Sequence, residues 1–256
     1  MNFSVGTIAK YTFIEAVKNR LFILMIIGLV SIYGFAQFIG ELAITETQEV
    51  QVAIVGLIVR LFAVFIVSLF IITNLVREFN DKAIDFIISL PIPRYAYFLG
   101  KLFGFCFLSV VVAILISLPL LFYTVFPQVF LWSISLICEL FIVTTLCLLC
   151  LFTLGHITTA FSAVMAFYIL SRSIGTIQLI AHSPILESTT LSQKFINLFI
   201  DAIAYILPSL DVFTETEWLV YHTGSMDNLI IVTTQTIIYM ILLSSAALFD
   251  LYRKEF

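Results

Sequence analysis

Charge is what this sequence has least of. Only 11% of its 256 residues are Asp, Glu, Lys or Arg, while 62% are apolar and 26 are Phe. A soluble domain of that length needs far more polar surface to cover its core. The net charge of -4 supplies no basic field for nucleic acid, and no nucleic-acid motif occurs. The phosphate-loop pattern G-x-x-x-x-G-K-[ST] is missing, as is any soluble stretch large enough to hold a nucleotide domain. The zinc pattern H-E-x-x-H, paired aspartates within apolar runs and Gly-x-Ser-x-Gly are also missing, which removes the usual signs of an intramembrane protease or transferase. Pro119 is the only proline inside an apolar run and no repeat is visible, whereas an ion-driven secondary transporter favours inverted repeats and broken spans. A non-transporting membrane scaffold is a further alternative.

The four cysteines, Cys106, Cys138, Cys147 and Cys150, all fall in apolar runs and read as packing residues. Cys147 and Cys150 have metal-like spacing without a second pair or a nearby His. His156, His182 and His222 are isolated, and with Met226 they form no ligand pattern, so no metal is expected. The N-terminus lacks the cleavage site of a signal peptide.

What the chain does have is apolar runs long enough to cross a hydrocarbon layer, recurring from one end to the other. They predict an all-α integral membrane protein of one domain, with spans at about 21–40, 51–75, 102–126, 130–153, 157–181 and 228–250. A tight turn is expected at Pro127-Gln128. Residues 3–20 precede the first span as an amphipathic helix, with Val5, Ile8, Ala9, Phe13, Ala16 and Val17 on one face. It either lies along the membrane surface, with Lys10, Lys18 and Arg20 near anionic headgroups, or extends the first span into water. Between the last two spans lies 182–227, in which 191–207 is amphipathic and closed by Pro208. That region is read as an interfacial helix at the outer face or a re-entrant hairpin shielded by protein.

The basic residues orient the chain. Lys10, Lys18, Arg20, Arg77, Lys82, Arg94, Lys101, Arg253 and Lys254 all fall on one side, and only Lys194 on the other. By the positive-inside rule both termini and the 76–101 segment are cytoplasmic. Arg60, Glu139 and Arg172 lie inside spans, each about 14 Å deep by helical rise. An unpaired charge there costs at least ~2.5–3.5 kcal/mol. They read either as a polar patch or gate on a transport path, or as a structural ion pair, with Arg172 reaching toward the outer headgroups.

The segment 77–101 is the most charged in the chain. Arg77 to Ser89 reads as a short helix, Pro91-Ile92-Pro93 forces an extended turn, and Arg94 restarts the chain toward the third span. Arg77-Glu78, then Asp85 to Ser89, Leu90-Pro91-Ile92-Pro93-Arg94 and Gly100-Lys101 resemble the loop of ABC-2-type permeases, the membrane subunits of one class of ATP-binding-cassette exporters. The departure is at Lys82-Ala83, where the family carries Gly-Thr. The whole plan of N-terminal helix, six spans and outer element is similar too, nearest to small permeases of copper-maturation and gliding-motility systems. The resemblance implies an ABC-2 (type V exporter-like) fold in a bacterial inner membrane. It also implies a loop that serves as coupling helix, with Arg77, Glu78, Asp85, Pro91, Arg94 and Lys101 as contacts or braces at the ATPase. Two copies of the chain would then work with two ATPase subunits that bind ATP and Mg. The chain itself would hold no cofactor and catalyse nothing. Lipid surrounds it, and the outer region either receives a periplasmic accessory protein or seals the exit.

Overall fold

The computed structural model describes residues 2–42, 47–80, 93–182 and 191–253. Among them every regular element is helical. We label the α-helices α1 (Asn2–Lys18), α2 (Arg20–Leu42), α3 (Thr47–Asn80), α4 (Arg94–Ser117), α5 (Phe126–Leu154), α6 (Ile157–His182), α7 (Leu191–Ile206), α8 (Thr216–Val220) and α9 (Met226–Arg253). Short 3-10 turns follow α4 at Leu118–Phe122 and precede α8 at Leu210–Val212.

The helix boundaries have local causes. Asn19 breaks α1 from α2, and its side-chain oxygen accepts a hydrogen bond from the Leu21 amide at 3.1 Å, capping the new helix. Pro93 stands before α4 in extended geometry. Pro119 turns the end of that helix into a 3-10 coil. Pro127 lies in the first turn of α5, where its missing amide costs nothing. The reversal expected at Pro127-Gln128 therefore falls earlier, at 123–125. Gly155 ends α5 with φ 73°, a left-handed cap that a Cβ would resist.

Among the described residues six helices, α2 to α6 and α9, are long and apolar enough to cross a membrane, and the chain is a multi-pass membrane protein. Its packing is that of an inverted surface. α5 is the central helix, with 72% of its most apolar stretch buried, against 17% for α2 and 22% for α6 and α9. The outer helices leave Ile23, Leu24, Ile27, Ile230, Ile238 and Ile241 exposed. In water such faces would form an apolar patch far larger than soluble monomers tolerate; in lipid they are the expected contact surface.

α3 differs from its expected span. It runs unbroken for 34 residues, about 50 Å by helical rise, and takes in Arg77 and Glu78 as its last turn. No glycine or proline lies between Gly56 and Pro91, so nothing in the chain stops the helix at residue 75. The remainder of the short helix expected over Arg77–Ser89, including Asp85, and Pro91 beyond it lie outside the described residues.

α1 packs on the first half of α4. Gly100 and Gly104 open that contact: a Cβ at Gly100 would sit 2.7 Å from Ile8 Cβ, and one at Gly104 2.7 Å from Thr12 Cβ. This is the small-xxx-small spacing that lets two helix backbones approach. Thr12 and Ala16 are buried on this face while Val17 is exposed, so the packed stripe is rotated slightly from the one read in the sequence.

Candidate functional site

Two polar clusters sit at different levels of the bundle. The first is at the end that carries Lys18, Arg20, Arg77, Arg94 and Lys101, here called the basic end. Glu78 on α3 forms an ion pair with Lys101 on α4, and accepts a hydrogen bond from the Tyr97 hydroxyl at 3.0 Å. Lys101 is buried, and a buried pair held by a third donor is costly to open from one side, since the partner is left charged and unpaired. Arg94 donates to the carbonyls of Leu251 at 3.3 Å and Tyr252 at 3.2 Å, where the last turn of α9 leaves acceptors unfilled. Thr153 of α5 donates to Asp250 of α9 at 2.5 Å nearby. Glu78, Lys101 and Arg94 therefore brace the end of α3, the start of α4 and the end of α9 against one another.

The second cluster lies within the span region and centres on Thr214. The segment 207–222 does not stay at the surface. With α7 it forms a helical pair bent by 61°, the geometry of a broken span or a re-entrant loop. Leu207, Leu210, Phe213, Trp218 and Leu219 are buried against the spans. Gly56 of α3 makes room for Leu219, whose Cδ1 would lie 3.2 Å from an added Cβ, and Gly175 of α6 makes room for Asp211. A re-entrant backbone is tolerated at such depth only where protein surrounds it and its polar groups find partners.

Thr214 meets both conditions. Its amide donates to Ser135 Oγ at 2.8 Å, its hydroxyl donates to Glu139 Oε2 at 2.6 Å, and its carbonyl accepts from Arg60 at 3.0 Å. Glu139 is fully buried, and its other oxygen accepts from the Tyr168 hydroxyl at 2.7 Å. Arg172 turns inward, not toward a headgroup: it donates to the carbonyls of Leu210 and of Phe213, the latter at 2.6 Å. Its approach to Glu139 is long, 3.9 Å. The three charges that the sequence places at similar depth are thus brought together, but mainly through the backbone of 210–214. Among the described residues Arg60 makes no ion pair with Glu139, and its Nε has no hydrogen-bond partner.

Sequence reasoning missed Thr214, Ser135 and Tyr168. Ser135 stands four residues before Glu139 and Tyr168 four before Arg172, so each polar group shares a helix face with its charge. That spacing was a usable signal. Nothing comparable marks Thr214.

Beyond Thr214, toward the end opposite the basic one, an open cleft of about 570 Å³ is lined by Glu49, Val52, Tyr123, Thr124, Leu219 and His222. Thr124 donates to the Leu219 carbonyl at 2.9 Å and Gln128 to that of His222 at 3.1 Å, fixing the far side of the segment. The described residues contain no group of three or more His, Cys, Asp or Glu able to hold a metal ion. No protein-family model and no curated protein matches the chain.

Proposed function

We propose that the chain is the membrane-spanning permease subunit of an ABC transporter, an exporter in which a separate ATPase subunit supplies the work. The supporting observation is that one helix joins the two polar clusters. α3 carries Glu78 at the basic end and, about 27 Å away by helical rise, Arg60 at the re-entrant segment. A push on the loop 81–92 cannot be absorbed by fraying, because the Glu78–Lys101–Tyr97 lock and the Arg94 clamp tie α3, α4 and α9 together. The displacement passes along α3 to the Arg60–Thr214 hydrogen bond and to the contact between Gly56 and Leu219. On the other side, Glu139 and Arg172 hold the same segment to α5 and α6. Moving α3 relative to α5 and α6 then unseats 207–222, which acts as the gate beneath the far cleft.

In this reading two copies of the chain form the path, the loop faces the cytoplasm with both termini, and ATP and Mg are bound by the ATPase. The resemblance makes Asp85 a partner contact, whereas Glu78 is an internal brace. Co-purification with an ABC ATPase subunit, combined with ATPase assays in liposomes, separates the two roles. Asp85→Lys is expected to lower ATPase capture. Glu78→Gln is expected to keep capture and lose the dependence of hydrolysis on the permease. Full coupling in both variants would rule the reading out.

A further inference from the structure

Three polar atoms at the re-entrant segment are enclosed by protein without a hydrogen-bond partner. They are Arg60 Nε on α3, Ser171 Oγ on α6 and Asp211 Oδ1 in the 3-10 turn before α8. Ser171 is fully buried and Arg60 is only 6% exposed, so bulk solvent does not serve them. Burying a polar group unpaired is costly, and an orphaned group of this kind calls for a partner.

Helix geometry places the three side chains in one neighbourhood. Asp211 sets its other carboxylate oxygen against Gly175, which has no side chain to exclude it. Ser171 stands four residues before Gly175 on the same face of α6, about 5–6 Å away. That gap is too long for a direct hydrogen bond and close to the span of two bonds meeting at one water. From α3, Arg60 acts electrostatically on Tyr168 and Arg172, which lie on either side of Ser171 in α6. Its Nη1 already holds the Thr214 carbonyl, which leaves Nε as the spare donor.

The chemistry of the three atoms defines the ligand. Arg60 Nε donates, the Asp211 carboxylate accepts, and the Ser171 hydroxyl does either. Two arginines, Arg60 and Arg172, stand beside two carboxyl groups, Glu139 and Asp211, so no excess of one sign draws a bare ion. A small neutral molecule that both donates and accepts is what fits. We infer that Ser171, Asp211 and Arg60 form a site for bound water, which donates to Asp211 Oδ1 and accepts from Arg60 Nε, with Ser171 Oγ as the further partner. Buried waters typically make about three such bonds. The water ties the turn 210–212 to α6 and α3 in addition to the direct bonds of Arg172 and Arg60. It completes the polar shell that a non-helical backbone needs at this depth.

The test is radiolytic hydroxyl-radical footprinting of the purified chain in lipid nanodiscs, read by mass spectrometry. Radicals form from bound water itself and mark the side chains beside it. Phe213, two residues from Asp211, is 0% exposed, whereas Phe70, in an apolar crevice with Met25 and Val67, is 5% exposed. Phe213 is nevertheless expected to be labelled faster. Ser171→Ala removes one partner of the water and is expected to lower the label at Phe213, a loss that water arriving through transient opening would not show. Ser173→Ala deletes a hydroxyl that bonds only within its own helix, and it is expected to leave the label unchanged. Both serine variants are expected to unfold at the wild-type temperature. Labelling of Phe213 no faster than Phe70, an unchanged label in Ser171→Ala, or an equal loss in the two serine variants would each overturn the inference. None of these measurements requires an ATPase, so they stand apart from the test of coupling.

Discussion

Thr214 has φ 45°, a left-handed conformation that is rare for a β-branched residue and costs on the order of 1–3 kcal/mol. It persists because its amide and hydroxyl are engaged by Ser135 and Glu139 of α5 and its carbonyl by Arg60 of α3. Thr214→Val keeps the shape and deletes the donor to Glu139, leaving one oxygen of a buried carboxylate unfilled. We expect a loss of about 1.5–3 kcal/mol, read by thermal unfolding in detergent. A double-mutant cycle with Glu139→Gln should give a coupling above about 0.5 kcal/mol. Exchanging the charges in Arg60→Glu with Glu139→Arg should not rescue either single variant, because Arg60 holds a backbone carbonyl and not the carboxylate. Recovery of folded yield in that double variant would refute the assignment of Arg60 to Thr214.

At the scale of elements, α1 is held by shape more than by charge. Gly104→Val would drive side-chain atoms into Thr12 and the Ala9 carbonyl, which lies 2.9 Å from an added Cβ. Overpacking of this kind costs about 1–3 kcal/mol, and it should detach α1 and let its backbone unwind, so that trypsin cleaves after the exposed Lys10 and Lys18 within minutes of digestion. Gly6, by contrast, has nothing within 4 Å of an added Cβ. Gly6→Ala lies mid-helix and should stabilise α1 by roughly 0.5–1 kcal/mol. If both substitutions leave proteolysis unchanged, the contact between α1 and α4 does not hold the helix. The spacing Gly100-x-x-x-Gly104 is plain in the sequence, yet which helix it receives is not, since any apolar face of suitable curvature could enter the groove.

At the scale of the molecule, the proposed permease function requires that the segment 207–222 part from α3. Gly56→Cys with Leu219→Cys, placed in a background where Cys106, Cys138, Cys147 and Cys150 are Ser or Ala, should cross-link on mild oxidation. The cross-link is expected to abolish permease-dependent ATP hydrolysis and reduction to restore it. Undiminished coupling in the cross-linked protein would remove 207–222 as the gate.

The number, order and approximate limits of the apolar helices were legible in the sequence, because hydrocarbon admits only long uninterrupted helices and the runs declare their own length. The stop at Gly155 follows from local chemistry in the same way. The position of Arg60, Glu139 and Arg172 at comparable depth was also legible from counting residues. Their partners were not. Depth is a one-dimensional quantity that the chain carries along its length, whereas pairing depends on which helix faces rotate toward each other and on a fold-back of 207–222 through the bundle. Only tertiary packing decided that Thr214 would stand between the charges, and that Glu78 and Lys101 would close on each other instead of facing outward.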